Sequence, residues 1–376
     1  MQRTQTDKCD FLHFNDLACE TVGGRVVFAT DEWFAPARNL LKSEPPQFLP
    51  SVFTEFGKWM DGWETRRKRV PGHDWCLVQL GVPGRVHGID VDTSFFTGNH
   101  CPHVSIQGGC LAEPTDSRET DRSVCVCVCV CVCVCVCVCV CVCVQLGSGA
   151  WPQLVGVAPL QPGSHHFFKV EFSSRVTHLR VNMFPDGGIA RLRVYGVGQR
   201  DWSSVSSNQL LDLLALTNGG VCLGFSDAHF GHPRNMIGGH THTHTHTHTH
   251  THTLSLSLVP GSEWAVFRLG HRGRVSRVEV DTTHFRGNSP DSCRVEACSL
   301  DVGDESWSSA EWDVLLPPQK LRPHHRHHYG EAELRLNRPI SHVRVVMAPD
   351  GGISRLRLWG RIAAAPANQE RPASKL

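Results

Sequence analysis

The chain has 376 residues, 19% of them charged, and a formal net charge of +1 at pH 7. That length allows two domains of ordinary size, each able to bury its own core. A net charge this close to zero offers no basic field, so neither nucleic acid nor a membrane surface is expected as a partner.

Taken in order, residues 1–14 form a polar lead with no apolar run, so no secretory signal is expected. Residues 17–30 predict a short helical or turn segment, then a strand in GGRVVFATD after the Gly-Gly turn. DEWFAPARNLL reads as a loop in which Pro36 stops regular structure. KWMDGWETRRKR, residues 58–69, reads as a loop dense in tryptophan and charge. DWCLVQLG and GRVHGIDVDTS alternate apolar and polar residues, predicting two strands joined by a Gly/Pro turn. The alternation continues in HVSIQ, HHFFKVEF, THLRVNMF and ARLRVYG. Residues 197–207 read as a polar linker, and 210–216 as a short amphipathic run.

Residues 74–99 return at 263–288, an offset of 189, with Trp75, Leu80, Gly81, Arg85, Val86, Asp92, Phe96, Gly98 and Asn99 matched. Residues 28–41 return at 225–237 with an offset of 196 at Asp31, Phe34, Arg38 and Asn39. Residues 177–196 return at 341–360 with an offset of 164. The chain is therefore two copies of one domain. Neither copy sustains a helical period, and short alternating strands separated by Gly, Pro and Asp indicate an antiparallel sandwich. The expected fold is all-β: two tandem jelly-roll β-sandwich domains over residues 15–196 and 208–362, followed by a tail over 363–376.

The falling offsets locate two low-complexity tracts. Residues 124–144 alternate Val and Cys; residues 240–253 alternate His and Thr and run into Leu-Ser through 258. In codons these are TGT GTG and CAC ACA repeats, complementary dinucleotides, so both tracts read as microsatellites translated in frame rather than as a membrane span, a redox ladder or a metal site. Ten of the 18 cysteines lie in the first tract, and the other eight show no CxxC or zinc-type spacing. Free thiols in a reducing compartment are expected. Ser374-Lys375-Leu376 reads as a peroxisomal address, so the import receptor is an expected partner and the peroxisome, otherwise the cytoplasm, the expected location.

No G-x-S-x-G, HExxH, P-loop or dinucleotide fingerprint occurs, which leaves loop residues as candidates. Three loops stand out: Asp31, Glu32, Trp33, Phe34 and Arg38; then Asp61, Gly62, Trp63, Glu64, Arg66 and Arg67; then Phe95, Phe96, Thr97, Gly98 and Asn99. Carboxylates beside aromatics suit acid–base work, and arginine's planar fork suits a substrate carboxylate. Ordinary roles stay open beside these. Glu64 and Arg66 read equally as a solvated pair, Trp63 as a cover on the core, and Asp31, Asp92 and Asn99 as caps of their own turns. Asp186-Gly187-Gly188 and Asp350-Gly351-Gly352 read as tight turns, and His165, His166 and the histidines of 324–328 as surface residues.

LACETVGGRVVFATDEWFAPARNLL, GKWMDGWETRRKRVPGHDWCLVQLG, GIDVDTSFFTGN and MFPDGGIARLRVYG together resemble the allantoicase family over residues 15–362, the two tracts excepted. The resemblance implies two galactose-binding-like jelly rolls and hydrolysis of allantoate to ureidoglycolate and urea. The second copy departs from the family: residues 235–239 pass directly into the His-Thr tract, with no counterpart of the DGWET loop. In the first copy the Val-Cys tract takes part of the variable segment before QLGSGAWPQL. Under this reading, Glu64, Asp31 or Glu32 activates water or protonates the departing urea, and Arg66 or Arg38 holds the substrate carboxylate. Asn99 orients the ureido groups and Trp63 helps exclude water. No cofactor or metal is expected, and a homo-oligomer is the expected assembly. The alternatives are a non-catalytic small-ligand or carbohydrate-binding protein, and an inactive product of a disrupted gene.

Overall fold

The computed structural model describes residues 10–111, 146–203, 205–228, 231–238, 261–301, 304 and 306–363. Both low-complexity tracts and the Ser374-Lys375-Leu376 terminus lie outside the described residues. The described residues up to Gln199 form one compact unit and those from Arg200 onward another.

The strands of the first unit are β1 (Asn15–Asp16), β2 (Arg25–Ala29), β3 (Phe53–Thr54), β4 (Gly57–Lys58), β5 (Trp63–Glu64), β6 (Asp74–Asp92), β7 (His103–Gly109), β8 (Gln153–Pro159), β9 (His165–Lys169), β10 (Val176–Phe184), β11 (Gly188–Ile189) and β12 (Arg191–Gly198). Those of the second are β13 (Leu211–Asp212), β14 (Val221–Phe225), β15 (Glu263–Asp281), β16 (Ser292–Cys298), β17 (Asp313–Lys320), β18 (Arg326–Tyr329), β19 (Ile340–Ala348) and β20 (Arg355–Ile362). The ladder order β1-β12-β6-β10-β7-β8 in the first unit is repeated as β13-β20-β15-β19-β16-β17 in the second. Every named pairing is antiparallel, and each unit is a jelly-roll sandwich, as the strand pattern predicts.

The expected pair of strands over 74–92 is one continuous 19-residue strand, and so is its repeat over 263–281. Its first half, Asp74 to Gln79, pairs with β10, and its second, Gly84 to Asp92, pairs with β12. β2 and β9 take the remaining edges of the same two halves. One strand thus serves both faces of the sandwich. The Pro-Gly step does not turn the chain; it sits where the β10 register jumps between Val176 and His178. Gly84 is needed there for close approach, because a methyl group on it would lie 2.2 Å from the Val197 carbonyl oxygen. Proline ahead of it is tolerated since only its carbonyl is used, accepting from Gln199 N at 2.9 Å.

The inward residues of these strands make the two cores. Leu77, Ile89, Ile106, Leu179 and Met183 are fully buried in the first unit, and Phe267, Val278, Val280, Leu356 and Leu358 in the second. The cysteines described outside the Val-Cys tract are free thiols, buried except for Cys110. Burial pushes Cys101, Cys222 and Cys293 up to about 12, which leaves them inert as nucleophiles.

The matched glycines Gly81 and Gly270 share one cause. A methyl group on Gly81 would lie 2.4 Å from the Val22 carbonyl oxygen, and one on Gly270 1.7 Å from that of Asn218. The obstacle is backbone in both cases, so no side chain can swing aside. Gly270→Ala is expected to destabilise the second unit by about 1–3 kcal/mol. Urea unfolding followed by tryptophan fluorescence measures it, and an unchanged midpoint would show that the loop yields freely.

Candidate active site

Four segments far apart in sequence form a narrow ribbon at one end of the first unit. β5 pairs with β11, placing Glu64 opposite Gly188. Ala35 bridges Glu64 on its other side, and His100 bridges Gly188. Glu64 is therefore inside the ribbon: its N–H donates to Ala35 O at 3.1 Å and its carbonyl accepts from Phe34 N and Ala35 N at 3.3 Å each. All three loops singled out in the sequence meet here. Along the ribbon, Trp63 and Thr65 point inward and are buried, while Glu64 is half-buried and Arg66 exposed.

Asn99 Nδ2 donates to Glu64 Oε1 at 2.6 Å. Burial pushes the Glu64 carboxyl above its ordinary value, and the Asn99 hydrogen bond only partly opposes this. Glu64 Oε2 has no partner among the described residues. Asn99→Ala removes the one contact that favours the charged form, so the Glu64 pKa is expected to rise further. A ¹³C carboxyl titration reads this directly, and a fall would show that Asn99 acts in some other way.

Asp31 and Arg66 form a second contact. Arg66 Nε donates to Asp31 Oδ2 at 2.6 Å, and the guanidinium lies 4.9 Å from the Trp33 ring centroid. Asp31 Oδ1 accepts from Trp33 N at 2.9 Å, an Asx turn, and Asp92 Oδ1 accepts from Ser94 N at 2.7 Å in the same way. Asn99 instead spends its amide on Glu64. Trp63 is fully buried, and its indole N–H donates to the Asp31 carbonyl at 2.8 Å, fixing the Asp31 loop from beneath. Glu32 Oε1 accepts from Ala37 N at 2.7 Å at the start of the 3-10 helix Ala37–Leu41. Pro36 is the N-cap of that helix, in extended backbone with its carbonyl accepting from Asn39 N at 3.1 Å, so it precedes regular structure rather than ending it. Arg38, on the same helix, is exposed, as is Arg67, and neither has an ion-pair partner among the described residues.

Sequence reasoning placed Asp61 among the loop candidates but missed the partners through which it holds this end together. Asp61 is 6% exposed; Arg191 Nη2 donates to its Oδ2 at 2.6 Å and Lys42 Nζ to its Oδ1 at 2.8 Å. Burial raises the Asp61 carboxyl, and the bonds from Arg191 and Lys42 more than offset it, leaving it below the ordinary value. Lys68 N donates to Asp186 Oδ2 at 2.6 Å and Lys68 Nζ to Asp74 Oδ1 at 2.5 Å, tying the loop to the start of β6. Aromatic side chains flank the ribbon: Phe48 stacks on Phe95 at 5.6 Å and Trp33 meets Phe56 at 4.6 Å. No spacing rule links residues so far apart; only the dense Trp and charge content of 58–69 hinted at them. Among the described residues, no three His, Cys, Asp or Glu side chains converge as metal ligands would.

The second unit retains part of this arrangement. Asn288 and Gly352 still meet, Gly352 N donating to the Asn288 carbonyl at 2.8 Å, but no described residue stands in the place of Glu64. Phe96, fully buried under Met60 and Ala190, corresponds to Phe285, which is only half-buried.

Comparison with known proteins agrees with the repeat and the fold. The family described as "Allantoicase repeat" matches residues 15–199 and 211–363. A probable allantoicase of Pseudomonas aeruginosa (strain LESB58) is 42% identical over 356 residues, covering 93% of this chain and 97% of the relative. A probable allantoicase of Pseudomonas paraeruginosa is 41% identical, covering 94% and 98%. The crystal structure of Saccharomyces cerevisiae allantoicase superposes with a TM-score of 0.69 at 29% identity, covering 95% of this chain and 98% of that one. A match to one family in both repeats, together with relatives at this identity across nearly their whole length, shows that the chain belongs to the allantoicase family.

Proposed function

We propose that the chain hydrolyses allantoate in purine degradation, releasing urea and leaving ureidoglycolate, with Glu64 as the group that carries the proton. Allantoate bears a carboxylate and two ureido groups on one carbon. In the reaction the bond from that carbon to one ureido nitrogen breaks, the oxygen of water takes its place, and the nitrogen leaves protonated as urea. The observation that carries the reading is the state of Glu64: half-buried, held in a ribbon of four segments, raised in pKa, and bonded through one oxygen to Asn99. A carboxyl tuned this way keeps a proton available to the leaving nitrogen, and once ionised it can take one from water.

The supporting groups divide by availability. Arg66 is committed to Asp31 through Nε, whereas Arg38 has no ion-pair partner among the described residues and is the arginine of the two more open to a substrate carboxylate. Trp63 closes the ribbon against water from the core side. No described residue of the second unit replaces Glu64, so the proposed reaction has one centre, in the first unit. The test is urea release from allantoate by the purified full chain. Release above the buffer rate is the expected result; a folded chain that releases none overturns the reading.

A further inference from the structure

Arg191 and Arg355 occupy the same place in the two repeats, opposite Asp92 and Asp281 respectively on the central strands. In the first unit Arg191 is saturated. Nε donates to the Glu44 carbonyl at 2.9 Å, Nη1 to the carbonyls of Asp61 and Ala190 at 2.9 and 2.8 Å, and Nη2 to the Asp61 carboxylate at 2.6 Å. In the second unit Arg355 keeps only the Nη1 side of this set, donating to the carbonyls of Ser354 and Asn235 at 2.6 and 3.3 Å. Its Nε and Nη2 have no partner among the described residues. Asp281, across the ladder, makes no hydrogen bond to them: its oxygens accept from Thr283 N at 2.7 Å and Arg326 Nε at 3.1 Å. The segment that would carry the counterpart of Asp61 is absent, and residues 239–262 contain no Asp or Glu at all.

We propose that Arg355 of the second unit is a binding site for a small monocarboxylate anion, which occupies the position the Asp61 carboxylate holds in the first unit. The recognition chemistry is the charge-assisted bond that Arg191 Nη2 makes to the Asp61 carboxylate, with the open Nε of Arg355 available as a second donor to the other oxygen of the anion. Half-burial strengthens the contact relative to a surface arginine, and the neighbouring Arg357, on the same face of β20, is paired with Asp212 at 3.4 Å through Nε while its Nη1 is unpartnered. Burial and, after it, Arg357 depress the Arg355 pKa, and Asp281 opposes them. Nothing in this site depends on the proposed hydrolysis.

The probe is sodium acetate, compared with sodium chloride at equal ionic strength on the full chain. Phenylglyoxal modification of individual arginines, read by peptide mass spectrometry, reports occupancy without any mutation. Acetate at ten times its dissociation constant is expected to slow modification of Arg355 by about tenfold while leaving the exposed Arg286 unaffected. Equal rates in the two salts, or equal protection of Arg286, overturn the proposal. Acetate is also expected to raise the unfolding midpoint by about 2–4 °C over chloride. That increment should vanish in Arg355→Met; its persistence there counts against the site, and the footprint decides the matter if the variant does not fold.

Discussion

Glu64→Gln is expected to lower urea release from allantoate by about 10²–10⁴-fold, the usual contribution of a positioned acid or base. Glutamine fills the same volume and can still accept from Asn99 through its amide oxygen, so the ribbon and the thermal midpoint should hold. What is lost is the titrating proton. The kcat/KM profile of the native chain should carry a limb from a carboxyl displaced upward from the ordinary range, because burial outweighs the Asn99 bond. That limb should be missing from the residual activity of Glu64→Gln. Full turnover in the variant would end the acid–base role of Glu64 and move attention to Asp31 and Glu32, which the structure shows engaged with Arg66 and with Ala37.

Asp61→Ala is expected to cost the first unit about 3–5 kcal/mol, the penalty for removing one member of a buried ion pair. Arg191 is 2% exposed and cannot reach water when its partner goes. Lys42 and the backbone N–H of Gln47 lose their acceptor as well. Equilibrium unfolding in urea gives the number; a loss below about 1 kcal/mol would mean that the pair behaves like a surface contact. The second unit presents the same deletion already made by the sequence, with Arg355 in place of Arg191 and no described carboxylate in the place of Asp61. Acetate should recover part of the stability of Asp61→Ala for the same reason that it should bind at Arg355.

Much of the architecture was legible because it repeats. A residue retained at a fixed offset, such as Gly81 and Gly270, marks a backbone position with no room for a side chain, and the alternation around it marks a strand. What alternation cannot reveal is whether two strands in line are one. Pro83-Gly84 carries the composition of a turn, and only the proximity of Val197, over a hundred residues later, makes it a passage between sheets. The candidate site was legible as three loops but not as a set of contacts. Glu64 beside Asn99 and Asp31 beside Arg66 are each 35 residues apart, and Asp61 and Arg191 are 130 apart. The repeat carried a clue to this last pair: Arg191 has a counterpart and Asp61 does not, so one arginine had to differ in environment from the other.

The pairing of β7 with β8 bears on how this chain tolerates drift in its own coding sequence. The two strands lie side by side, His103 opposite Pro159 and Ile106 opposite Val155, and the Val-Cys tract falls in the connection between them. Closing a longer connection costs entropy only logarithmically, about 0.6 kcal/mol for each doubling of length. Slippage of the repeat by three dinucleotide units adds or removes one Val-Cys pair and keeps the frame; any smaller step shifts it and deletes β10 and β12. Alleles of this locus should therefore differ in tract length by even numbers of residues, with folding of the first unit nearly indifferent to which length is inherited.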